Sequence, residues 1–232
     1  MTAHLIDSPS HEAKAQYRWP GAAGIGFFVL FALVMVISPD VGNPGDSAAV
    51  LRADLAKNVG LSQVFTWITG FQILLLLTFA AGLSLRLRAA RQPLLANLGL
   101  AGAVALVSLA TAQHACVAAM QYLSQAGHPQ DVQLTTLNTL SYAIETVLRF
   151  PMALFIGALA LGILRSRILP RWLGLLGVVE SLLALIAAGS TSNSGALSVN
   201  GPVAVPSLLL LLIWILATGI ALIRTPAPDL GN

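Results

Sequence analysis

The chain has 232 residues, of which 56% are hydrophobic and only 9% charged, and its mean hydropathy is +0.82. Soluble domains carry about 25% charged residues, so this composition excludes a pair of soluble domains and intrinsic disorder. One cysteine, Cys116, cannot make an internal bridge, which excludes a disulfide scaffold. What remains is an all-α polytopic membrane protein.

A hydrocarbon core about 30 Å thick needs roughly 20 mostly apolar residues per helix. Six segments meet that demand, at 21–38, 61–85, 93–123, 134–164, 172–188 and 203–223. They predict a six-helix transmembrane domain over residues 21–224, with an N-terminal tail at 1–20 and a C-terminal tail at 225–232. The first tail holds Asp7, Glu12, Lys14 and Arg18, and no small-residue cleavage site follows a short apolar run, so it reads as cytoplasmic and not as a signal peptide. The third and fourth segments exceed the length a bilayer requires. They must tilt, project or break, and Pro151 gives the fourth a place to kink.

Basic residues set the direction. With the N-terminus inside, the cytoplasmic side collects Lys14, Arg18, Arg86, Arg88, Arg91, Arg165, Arg167, Arg171 and Arg224, against Arg52 and Lys57 outside. This bias predicts an N-in, C-in protein. Trp19 and Trp172 fall at the predicted cytoplasmic interface, where indoles prefer to sit. Orientation and anionic lipid therefore account for a pI near 9.5, and nucleic acid need not be invoked.

Three loops then face outward. The first, 39–60, contains the turn signal Pro44-Gly45-Asp46 and a short amphipathic stretch over Ala48–Lys57. The second, 124–133, is polar and short. The third, 189–202, is uncharged and is either flexible or closes as a lid. A short echo, LGLAG at 98–102 and LGLLG at 173–177, follows an arginine-rich turn each time, as if spans two and three repeat as four and five.

Ionisable groups within the spans carry most of the functional information, because each costs about 2.5–3.5 kcal/mol at a helix centre. Four stand out: His114, Glu145, Arg149 and Glu180. Counted from the cytoplasmic turns at about 1.5 Å per residue, His114 and Glu145 lie near the outer boundary and Arg149 in the outer third. Glu180, about 14 Å from Arg171, lies near the midplane with no cation apparent beside it. Asn138, Ser141, Glu145 and Arg149 share one helical face, flanked by Tyr142. His114 and Gln121 share a face of the third span, and Gln72 lies at a similar level of the second. Together they predict a polar pocket between spans two, three and four, open to the outside and lidded by the third loop.

Each of these residues has a plainer reading. Glu145 and Arg149 at i,i+4 can be a structural ion pair, His114 a packing residue, and Thr111 and Gln113 interhelical hydrogen-bonders. Glu180 is either a neutral acid bonded within the bundle or a proton donor. No metal or cofactor is expected, since His4, His11 and His128 lack ligand spacing.

The run FPMALFIGALALGILRSRILPRWLG at 150–174, with Pro44-Gly45-Asp46 after the first span, resembles a family of uncharacterised six-helix bacterial membrane proteins common in actinobacteria. The likeness spans residues 20–224. It implies a multi-pass protein of the bacterial cytoplasmic membrane and brings no activity, cofactor or catalytic residue with it.

Several functions stay open. One is a binding or accessory protein that holds a small amphipathic or lipidic molecule in the outer pocket, as a substrate-capture subunit of a vitamin transporter does. Such a protein would offer Gly21-Ala22-Ala23-Gly24 as a small-residue face for a membrane partner or a second copy. Another is an isoprenoid cyclase or isomerase using Glu180 or Glu145 as acid, although aromatic content is only 6% and no paired acidic motif is present. A third is a structural or immunity-type protein without a ligand.

Overall fold

The computed structural model describes residues 18–37, 42–57, 59–125, 131–189, 195, 198 and 201–225. These residues are helical almost throughout. The order is α1 (Trp19–Ile37), α2 (Ala48–Lys57), α3 (Val59–Ala89), α4 (Pro93–Gln125), α5 (Asp131–Val147), α6 (Arg149–Ser166), α7 (Arg171–Ala187) and α8 (Ala204–Arg224). Five elements are long and apolar enough to cross a membrane: α1, α3, α4, the unit Asp131–Ser166 that joins α5 to α6, and α8. Helix α7 has 17 residues, about 26 Å of rise. Most of both predicted tails lies outside the described residues.

The kink expected at Pro151 takes the form of a break at Leu148. Leu148 N–H donates to Ile144 O at 2.9 Å and Met152 N–H to Leu148 O at 3.1 Å. Pro151, which has no N–H, falls in the first turn of α6, where a missing donor is harmless. At the other end, Arg167 closes α6 in the left-handed conformation (φ 56°), its N–H returning to Ile163 O. Pro170 then caps the start of α7.

The helices form a closed ring in the order α1, α3, α4, α6, α7, α8. Its centre is a trio of fully buried rings, Phe79 of α3, Phe155 of α6 and Trp214 of α8. Both Phe79 and Phe155 meet Trp214 edge-on at centroid distances of 6.1 Å, the geometry that the ring quadrupoles prefer. The indole N–H of Trp214 donates to Leu173 O at 2.9 Å, which ties α8 to α7. Helices α5 and α2 sit outside the ring. α2 covers one end of α4 and α5 through Leu51 and Leu55, which pack on Met120 and Leu134. The opposite end carries Arg86, Arg88, Arg91, Arg165, Arg167, Arg171 and Arg224, and there Arg86 donates to Leu222 O at 2.9 Å. The outward faces are apolar, with Val29, Val36, Leu74, Leu94, Leu182 and Ile213 exposed. Lipid suits such a surface and water does not.

The LGLAG and LGLLG echo has a packing cause. Gly99 and Gly102 bring α4 against Leu159 and Phe155 of α6, while Gly174 and Gly177 bring α7 against Leu164 and Ala160 on another side of the same helix. The expected docking face on α1 is used inside the bundle: Gly21 meets the backbone of α8 at Gly219, and Gly24 meets Phe79.

A Cβ on Gly102 would fall 2.5 Å from the backbone nitrogen of Phe155 and 3.0 Å from Pro151 O. Backbone cannot step aside as a flexible side chain does. Gly102→Val should therefore destabilise the protein by about 1–3 kcal/mol, read as a lower midpoint of thermal unfolding in detergent. Substitution of Gly70, which has open space around it, serves as the control.

Candidate functional site

The predicted site residues separate into three groups. Asn138, Ser141 and Tyr142 face the loop before α2. Asn138 Nδ2 donates to Asn43 O at 3.0 Å and the Tyr142 hydroxyl to Gly42 O at 2.7 Å, while Ser141 Oγ turns to Asn138 O of its own helix. The loop is itself a tight turn. Gly45 takes φ 88° after Pro44, Asp46 N–H donates to Asn43 O at 3.2 Å as a β-turn requires, and the Asp46 carboxylate accepts the Asn43 N–H at 2.6 Å. Near it, Arg52 of α2 pairs with Asp131 of α5. The polar stripe of α5 thus fastens a loop at its upper positions and becomes ionic only below them.

His114 and Gln121 line a groove of about 230 Å³ between the first turns of α3 and the last turns of α4. Ser62, Phe65, Thr66 and Trp67 form its α3 wall, and Val117, Ala118 and Tyr122 stand beside His114 on α4. The imidazole meets Phe65 edge-on at 5.5 Å. Gln121 is held, accepting from Ser62 Oγ at 3.4 Å and donating to Leu55 O at 3.3 Å. Gln72 is buried one or two turns further along α3. Its amide nitrogen finds no hydrogen-bond partner among the described residues, and it is not part of the groove wall. The cavity therefore lies between two spans and not three, and Glu145 and Arg149 do not line it. Only Gly189, Gly195, Ser198, Gly201 and Pro202 of the 189–202 loop are described, so the expected lid lies outside the described residues.

Glu145 and Arg149 form a separate pair. Arg149 is the first residue of α6 and is buried, with only 8% of its side chain exposed. A cation there opposes the positive end of the helix dipole, and lipid cannot solvate it. One acid compensates. Glu145 Oε1 lies 3.8 Å from the guanidinium, and Glu145 Oε2 accepts from Gln113 Nε2 of α4 at 3.4 Å. A second buried acid, Glu180, belongs to α7. It is fully buried, its Oε1 accepts from Ser207 Oγ of α8 at 2.9 Å, and its Oε2 has no hydrogen-bond partner among the described residues.

Among the described residues no cation lies within ion-pair distance of Glu180, whose one bonded partner is Ser207. Two neighbours fix its level in the bundle. Ser181 donates to Ala153 O at 2.9 Å, one turn from Arg149, and Ser207 belongs to the first turn of α8. Gln113 does bond between helices as expected, whereas Thr111 Oγ1 returns to Val107 O of its own helix. Ser207, an unremarked serine in a leucine-rich span, was the functional neighbour that sequence reading missed.

Neither Glu145 nor Glu180 borders the groove. Among the described residues no three His, Cys, Asp or Glu side chains gather as metal ligands. No family model, curated protein or solved structure matches the chain.

Asn138→Ala and Tyr142→Phe should each cost about 1 kcal/mol, the worth of one hydrogen bond, and release the 42–46 turn. Limited proteolysis in detergent should then cut that turn faster than in the wild type, while the helical content stays unchanged.

Proposed function

We propose that the chain is a six-span protein of the bacterial cytoplasmic membrane, N-in and C-in, that binds a small amphipathic molecule in the groove between α3 and α4. The groove itself carries the reading. It sets His114, Ser62, Thr66 and the Gln121 neighbourhood beside the aromatic rings of Phe65, Trp67 and Tyr122, which pairs a hydrogen-bonding floor with an apolar rim. At about 230 Å³ it is smaller than the 300–1,000 Å³ typical of a site that encloses a whole drug-sized ligand. It suits a head group or a single ring. The rest of such a molecule has a path along α3, where Trp67, Phe71 and Leu74 are exposed on adjacent turns and Trp67 stacks on Phe71.

Topology supports an outer position for this groove. The arginines gather at the far end, the α2 end holds Arg52 and Lys57 against Asp131 and Asp54, and six passes return the chain to the side on which it starts. The sixth pass is α7, which closes the ring between α6 and α8. The resemblance of 150–174 to six-helix bacterial membrane proteins agrees with that count.

Two measurements test the reading. In a Cys116→Ala background, a cysteine at Asp54 should react with an impermeant maleimide on intact cells, and one at Arg167 only after the membrane is opened. The reverse pattern would invert the topology and turn the groove inward. Ala118→Trp should fill the groove. Native mass spectrometry of the wild type is expected to show a retained amphiphile of defined mass that Ala118→Trp lacks. Equal retention by both proteins would remove the groove as the site.

A further inference from the structure

We propose that the bundle holds one anionic phospholipid at its arginine-rich end, with the phosphate on Arg165, Arg167 and Arg171 and one acyl chain along the exposed stripe of α6. The site is independent of the groove between α3 and α4, which none of these residues lines.

The stripe follows from the way α6 is enclosed. Only Phe150, Leu154, Leu161 and Arg165 of that helix are exposed. Their spacings of four, seven and four residues set them on one line along the helix. α4 closes one flank, where Gly102 meets the backbone at Pro151 and Phe155 and Gly99 meets Leu159. α7 closes the other, where Gly174 meets Leu164, Gly157 meets Ser181, and Ser181 donates to Ala153 O at 2.9 Å. Glycine contacts on both flanks draw the neighbours in, so the stripe forms the floor of a furrow with α4 and α7 as its walls. Leu98 stands on the α4 wall, four residues from Gly102, and Val178 on the α7 wall, four residues from Gly174.

The furrow ends on charge. Arg165 closes the stripe, Arg167 and Arg171 follow in the turn to α7, and all three are exposed. None lies within ion-pair distance of a described acid. Glu180, the described acid nearest to them along the chain, is about 14 Å into α7 from Arg171. Arg167 adopts φ 56°, a left-handed position that glycine fills at lower cost. An arginine under that strain points to a use for its side chain.

Guanidinium groups bind phosphate oxygens through paired hydrogen bonds, and basic pockets between helix ends are where acidic headgroups bind. Depth selects the lipid over a free phosphate. Leu154 lies eleven residues before Arg165, about 16 Å along the helix. That matches one leaflet of a hydrocarbon core about 30 Å thick. A phosphate on the arginines thus leaves its acyl chain lying over Leu161 and ending near Leu154. A free phosphate would use the arginines and leave the furrow uncovered.

Native mass spectrometry of the delipidated full chain in dodecyl maltoside tests the site with added phosphatidylglycerol. One lipid should be retained per chain, and phosphatidylcholine should be retained about ten-fold less. R165Q/R171Q should lose phosphatidylglycerol by about ten-fold. R88Q/R91Q removes the same charge from another turn at that end and should keep it. Leu161→Trp should block the furrow and lose the lipid, whereas Ile213→Trp, exposed on α8, should not. Circular dichroism checks folding, and if a double variant does not fold, the two tryptophan variants decide. Equal losses from the two double variants would mean that only summed charge attracts the lipid, and would overturn the proposal. Equal retention of the two lipids, or full retention by Leu161→Trp, would overturn it as well. Ala118→Trp should leave phosphatidylglycerol retention unchanged, so this site and the groove between α3 and α4 fail separately.

Discussion

A guanidinium at the head of a buried helix has to be neutralised by its neighbours, and Arg149 imposes that condition on the whole middle of this bundle. Its backbone position adds to the demand, since the positive end of α6 repels it. The acid that answers it is Glu145, one turn earlier in α5. The break at Leu148 makes this possible. It starts a new helix at Arg149, with Pro151 in the turn that tolerates a missing donor, so that the cation enters the ring while α5 stays outside it.

Helix α6 can occupy that place because glycine lets its neighbours approach on more than one side. Gly99 and Gly102 admit α4, and Gly174 and Gly177 admit α7. The two glycine pairs meet one partner, which explains why similar pentamers recur at 98–102 and 173–177. In a bilayer, where burial of apolar side chains gives little drive for helices to associate, close backbone approach of this kind is a main source of attraction. The ring then closes on Phe79, Phe155 and Trp214, large side chains surrounded by small ones.

The all-helical character, five of the apolar spans and the turn at 44–46 were legible in the sequence because they depend on local quantities: runs of apolar residues and a Pro-Gly-Asp signal. The amphipathic stretch over Ala48–Lys57 likewise became α2 with Leu51 and Leu55 buried. Partners were less legible. The face carrying Asn138, Ser141, Glu145 and Arg149 was visible from the helical period, yet the period cannot say what lies opposite. Its first members met a loop and its last members formed an ion pair.

The setting of the four tryptophans has an optical consequence. Trp19, Trp67 and Trp172 are exposed to the surroundings at 70%, 73% and 54%, while Trp214 is fully enclosed. A collisional quencher dissolved among acyl chains reaches the first three and spares the last. The emission that survives it comes from the junction of α3, α6 and α8, so the chain contains an intrinsic fluorescent gauge of whether that junction is shut.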